Sequence, residues 1–115
     1  MDKQEFKKKI EKTAEIFKAL GHPARLCIVC KLLCKDCNVT ELQDCLDLPQ
    51  STVSQHLAAL KTKGIIKGKR AGVEVIYSVV NEDVKKIIKI LLNLEENQQV
   101  LNSIDEIIKE QIEEY

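Results

Sequence analysis

The chain predicts a mainly α fold carrying one small β-hairpin. Three observations lead there. Apolar residues recur at helical spacing in successive stretches before Gly64, the β-branched segment IIKGKRAGVEVIYSVV then breaks that period, and the period returns after Asn81. With 115 residues, 44% of them apolar, the chain fits a single domain spanning residues 1–115 with a modest core. Aromatic residues are only 3% and Trp is absent, so that core must be built from Leu, Ile, Val and Ala.

Phe6, Ile10, Ala14, Phe17 and Leu20 share one face of a first helix over residues 3–20, with lysines and glutamates between them. GHP ends it, and Pro23 suits the first position of a second helix running from Ala24 to about Cys34. KDCN reads as a loop, and Thr40 or Asn38 caps a short third helix ending near Leu46. DLPQS turns the chain, Gln50 or Ser51 opens a fourth helix, STVSQHLAALKTK, and Gly64 stops it. The hairpin follows, with strands near 66–70 and 73–79 and the basic GKRAG at its turn. Val84, Ile87, Ile88, Leu91 and Leu92 mark a fifth helix, and Val100, Leu101, Ile104, Ile107, Ile108 and Ile112 a further amphipathic stretch.

Two short helices joined by a tight turn and followed by a basic hairpin form the winged helix-turn-helix plan. The helix-turn-helix falls at about 39–63, the wing at about 66–79 and the C-terminal helices at about 81–113.

Formal charge is zero, so bulk charge names no partner, but its distribution does. Lys61, Lys63, Lys67, Lys69 and Arg70 stand against Glu74 alone between Pro49 and Val80. After Leu94 come Glu95, Glu96, Asp105, Glu106, Glu110, Glu113 and Glu114, against Lys109. A basic middle and an acidic tail point to one face meant for a polyanion. The opening MDKQEFKKKIEK is charged throughout and is not a secretory signal, and no apolar run is long enough to cross a bilayer. A soluble, cytoplasmic protein is the expectation, with no membrane partner. No paired carboxylates, Cys–His dyad or phosphate loop argues for an enzyme.

The second helix of a helix-turn-helix enters the major groove with its N-terminal residues at base edges. Here those residues are Gln50, Ser51, Thr52, Ser54, Gln55 and His56, all able to donate and accept hydrogen bonds, while Val53, Leu57 and Leu60 face the core. Capping alone is the plainer role for Ser and Thr, but one cap does not need six polar residues. Lys67, Lys69 and Arg70 on a protruding wing can neutralise phosphates or enter the minor groove. Double-stranded DNA is the expected partner.

Four of the five cysteines crowd into LCIVCKLLCKDC, at Cys27, Cys30, Cys34 and Cys37. In a reducing compartment they leave metal binding, redox sensing or plain burial. At 100° per residue Cys27, Cys30, Cys34 and, if the helix continued, Cys37 fall within about 80° on one face, yet climb roughly 15 Å, so they cannot all reach one tetrahedral ion. Cys30 and Cys34 could share a soft ion, with Cys37 folding back as a third ligand. Arg25, Lys31 and Lys35 lie close in sequence and could favour thiolates. Core packing is the competing role for all four, since Cys is a small, commonly buried hydrophobe. Cys45 reads as core and His22 as a helix-start residue. A cysteine-based metal or sulfur carrier without a DNA role is the rival function, and it leaves the wing's charge unexplained.

FKALGHPARL, NVTELQDCLDLPQSTVSQHLAALKTKGII and GKRAGVEVIYSV together resemble the ArsR/SmtB family of winged-helix repressors over roughly Phe17 to Val80. The resemblance implies a homodimer paired through the first and fifth helices. It also implies a palindromic operator, released on sensing a metal or a reactive sulfur species. The family's arsenical-type site would place Cys-Val-Cys immediately before Glu41-Leu42, where this chain has Asn38, Val39 and Thr40. Its zinc-type site would need histidines or acids along the fifth helix, and no histidine follows His56. Cys30 aligns with a cysteine of the family's persulfide-sensing branch, but that branch's C-terminal partner is missing because no cysteine follows Cys45. Any switch must therefore use local partners.

Overall fold

Asp2 opens the first helix, α1 (Lys3–Leu20), by accepting the Glu5 N–H. In the computed structural model, which describes residues 1–94, it is followed by α2 (Pro23–Cys34), α3 (Val39–Leu46), α4 (Gln50–Thr62), the antiparallel hairpin β1 (Ile66–Ala71) and β2 (Glu74–Val79), and α5 (Glu82–Leu92). The winged helix-turn-helix plan is the architecture found. The apolar stretch from Val100 to Ile112 and the acidic tail lie outside the described residues.

Local chemistry sets the helix ends. His22 caps α2 through Nδ1, which accepts the Ala24 N–H at 3.1 Å, ahead of Pro23 in the first helical position. Asn38, not Thr40, caps α3. Its side chain accepts the Glu41 N–H while the Glu41 carboxylate accepts the Asn38 N–H, a reciprocal capping box. The Asn38 N–H also holds the Glu41 carboxyl below its usual range. At the end of α4, Gly64 adopts φ 70° and donates to Lys61, while Ile65 donates to Leu60, the paired bonds of a Schellman stop.

The core is aliphatic. Ile28 and Val29 of α2, Leu42 and Leu46 of α3, Val53, Leu57 and Leu60 of α4, and Ile65, Ile66 and Val84 are all essentially inaccessible. Cys27, Cys30, Cys37 and Cys45 belong to the same cluster. Each buried aliphatic side chain contributes about 1.5–3 kcal/mol by leaving water. On α5, Val84 and Ile88 are core, whereas Ile90, Leu91 and Leu92 are exposed. On α1, Phe6, Ile10 and Phe17 are all more than half exposed.

The wing also departs from the expected layout. Only the last residue of GKRAG belongs to its turn. Gly68, Lys69, Arg70 and Ala71 continue β1, and the loop is Gly72–Val73, with Gly72 at φ 67° as a two-residue hairpin loop requires. Gly68 makes this possible: a Cβ there would lie 2.6 Å from Val75 Cγ1 and 3.1 Å from Tyr77 Cε1.

Candidate nucleic-acid interface and cysteine cluster

Helix α4 begins at Gln50 behind Pro49, with no side-chain cap at its N-terminus. The Ser51 and Thr52 hydroxyls are therefore not engaged in capping. Burial of Val53, Leu57 and Leu60 fixes the roll of the helix and turns Gln50, Ser51, Ser54 and Gln55 to solvent. Thr52 and His56 sit differently from the other four polar residues. Both are half-buried at the edge of that face. His56 Nδ1 accepts from Arg25 Nε at 3.2 Å, and its ring lies 4.5 Å from that of His22. Burial, with His22 and Arg25 alongside, holds the His56 imidazole below its usual range. Sequence reasoning missed this three-residue cluster; His56 lies 31 and 34 positions from its two partners, and the three carry no shared local pattern.

On the wing, register separates the basic residues. Lys67 and Lys69 stand opposite Ser78 and Ile76 on one face, while Arg70 stands opposite Val75 on the other. All three are exposed, and Val73 at the tip is 97% exposed. Lys63 belongs to a different environment, since it pairs with Glu15 of α1 at 3.0 Å. The exposed polar side of α4 carries hydrogen-bonding groups of the kind that suit base edges, and the two faces of the hairpin carry cations of the kind that suit phosphates.

The cysteines do not form one group. Cys27 and Cys30 are buried along α2, Cys34 is exposed at the helix's last position, and Cys37 is fully buried beyond it. Cys37 does not fold back towards α2. Its N–H donates to Tyr77 O at 3.2 Å and its carbonyl accepts the Tyr77 N–H at 2.8 Å, so the α2–α3 loop is paired to β2 of the wing. The expected thiolate-favouring role of the nearby cations fails at the buried positions. Burial pushes the Cys27 thiol up, and burial with Cys27 and Cys34 as neighbours pushes Cys30 up to about 12. Among the described residues no three His, Cys, Asp or Glu side chains converge so as to hold a metal ion, so Cys30, Cys34 and Cys37 do not fit a soft ion as they stand. None of the described helices is long and apolar enough to cross a membrane.

A family profile described as bacterial regulatory protein, arsR family, matches residues 22–67. The transcriptional repressor PagR of Bacillus anthracis is 47% identical over 83 residues, covering 71% of this chain and 83% of PagR. Among solved structures, reduced HlyU from Vibrio cholerae superposes with a TM-score of 0.73 at 35% identity, covering 82% of this chain and 99% of that one. HlyU from that organism is described as a transcriptional activator. A homodimeric winged helix-turn-helix DNA-binding domain from Mycobacterium bovis shares the fold, with a TM-score of 0.74 at 22% identity, over 87% of this chain and 92% of that one.

Proposed function

The chain belongs to the arsR family of bacterial regulatory proteins and is a DNA-binding transcriptional regulator, not an enzyme, and from that premise we propose that it is a cytoplasmic homodimeric repressor whose operator affinity is lowered by chemistry at its α2 cysteines. One observation carries the DNA half: the uncapped, solvent-facing Gln50, Ser51, Ser54 and Gln55 of α4 beside a wing bearing Lys67, Lys69 and Arg70. Thr52 and His56 flank that reading face. Two copies related by a dyad would present two such helices, hence a palindromic operator. Exposed Phe6, Ile10 and Phe17 of α1 and Ile90, Leu91 and Leu92 of α5 support pairing through these helices.

Reactive sulfur suits the cysteines better than a metal ion. Cys34 is the accessible thiol, and its thiolate can take the outer sulfur of a persulfide RSSH, forming Cys34–S–SH and releasing RS⁻. A local thiolate, Cys30 or Cys37, attacking the inner sulfur would then expel HS⁻ and leave a disulfide. Two electrons pass from the two thiols to the sulfane sulfur, and no other oxidant is needed. Such a bridge needs the end of α2 to open, because Cys37 is held to Tyr77 and disulfide geometry is narrow.

The test begins with a duplex enriched from a random-sequence pool by the reduced protein. Its binding is then measured for wild type, Cys30→Ser and Cys34→Ser, with and without a persulfide donor, and with Zn²⁺, Cd²⁺ and arsenite. Release by persulfide in wild type but not in Cys34→Ser is the expected result. Binding unchanged by every treatment would leave Cys27, Cys30 and Cys37 as core packing and Cys34 as an exposed residue with no sensing role.

A further inference from the structure

We propose that Arg25 is a positioning residue for sequence reading: through His56 it fixes α4 against α2, and thereby the aim of Ser54 and Gln55 at the bases. The inference rests on α4 being the reading helix and adds what holds it in place.

The geometry is specific. Among the described residues, Arg25 Nε donates to His56 Nδ1 at 3.2 Å, and the His22 ring packs on the His56 ring at 4.5 Å with 53° between the planes. The cap residue of α2 and a residue one turn further along thus close on one side chain of α4. His56 directly follows Gln55 and lies two residues after Ser54, so its fixed position sets where both side chains leave the helix. Burial of Val53, Leu57 and Leu60 sets the roll of α4, and the directed hydrogen bond at the rim adds a constraint beside Ser54 and Gln55 themselves.

Protonation state follows from the donor. Arginine only donates, so His56 Nδ1 must carry a lone pair, and an imidazolium has no acceptor. The groups facing His56 are Arg25 and His22 of α2. Arg25 also lines a shallow groove with Glu15 and Lys18 of α1 and with Lys63, just past the end of α4, where Glu15 is engaged by Lys63. Among the described residues, a proton on His56 would therefore join Arg25 and His22 without a carboxylate beside it to offset it. The imidazole is held below its usual range, chiefly by burial. The docked form binds the proton less readily than a released form does, so docking is complete above about pH 6.5 and weakens as pH falls below it.

The experiment reads selectivity, the ratio of affinities for the pool-enriched duplex and a scrambled duplex of equal length and salt, from pH 7.5 to 5.5. In wild type the ratio falls as the pH is lowered, by at most about tenfold per His56 at pH 5.5. His56→Gln keeps an acceptor that does not titrate, so its ratio, whatever its level at pH 7.5, stays flat down to pH 5.5. Arg25→Leu already shows the lowered ratio at pH 7.5, and in a His56→Leu background the same change costs nothing further. A flat wild-type profile overturns the inference. So does a slope that survives in His56→Gln. Additive effects of Arg25→Leu and His56→Leu overturn it as well. A pool that yields no enriched duplex would instead overturn the reading-helix assignment beneath it.

Discussion

Alkylation should distinguish Cys34 sharply from its helical neighbours. Cys30 is 5% exposed, and burial together with Cys27 and Cys34 pushes its thiol up to about 12 from an ordinary 9.0. Only the thiolate reacts, so at a fixed pH well below 9 its reactive fraction is about a thousandfold lower than that of an unperturbed cysteine. Poor access lowers the rate further. Trypsin makes the comparison direct, because Lys31 and Lys35 isolate Cys34 in LLCK while Cys27 and Cys30 share LCIVCK. Reduced protein is pulsed with iodoacetamide at pH 8, quenched in acid and denatured, and the two peptides are quantified by mass spectrometry. LLCK is expected to be labelled at least about a hundredfold faster, with the Cys30 rate rising about tenfold per pH unit and no plateau by pH 9. Denaturant before the pulse should abolish the difference. Labelling of Cys30 within tenfold of Cys34 in the folded protein would refute the burial argument. It would restore Cys30, the position the family resemblance favours, as the first point of attack.

Three further outcomes are expected. Lys69→Ala with Arg70→Ala should weaken every duplex alike and reduce the slope of log K against log salt by about 0.9 for each phosphate left without its cation, measured by fluorescence anisotropy at several salt concentrations. An unchanged slope would remove the wing from the interface. Gln50→Ala or Ser54→Ala should instead cost roughly 1–3 kcal/mol at the enriched duplex and little at a scrambled one. Leu91→Glu, at a side chain 69% exposed in one copy, should convert a sedimenting dimer to monomer at micromolar concentration without changing the helical circular dichroism. A variant that stays dimeric would place the interface away from the end of α5.

Much of the fold was legible because its signals are local. Period, proline at the start of α2 and glycine after α4 each act within one turn of the chain. The Asn38 cap was legible too: Asn-x-x-Glu at 38 and 41 is the reciprocal pattern that decides against Thr40. The wing turn was misplaced for a physical reason. GKRAG holds two glycines and a cluster of charges, the usual marks of a loop, but only Gly72 makes the reversal, whereas Gly68 serves close approach by Val75 and Tyr77. The candidate site was legible only in part. Polar residues on α4 declare themselves by composition, whereas the half-burial of His56 depends on Arg25 and His22 arriving from another helix. Cys37 likewise looked like a continuation of the cysteine stripe until its pairing with Tyr77, forty residues on, removed it.

Helix α2 is tied at both ends to elements that face the proposed duplex, and the two ties differ in kind. At its start, one side-chain hydrogen bond joins Arg25 to α4. Just beyond its end, two backbone hydrogen bonds join Cys37 to Tyr77 of β2, directly across from Gly68 and so between Lys67 and Lys69. Cys34 lies near the second tie, three residues from Cys37 and nine from Arg25. Extra sulfur at Cys34, or a bridge to Cys37, must be accommodated first where α2 ends, and the backbone pairing passes that displacement to the wing. The wing's charges act on phosphates of any sequence, whereas α4 aims at base edges. On the proposed reading, thiol chemistry therefore lowers affinity for all duplexes before it blurs the choice among them. A loss of about 1.4 kcal/mol per dimer already amounts to tenfold. A modest shift of two cationic strands is enough, and the reading helix need not leave its place.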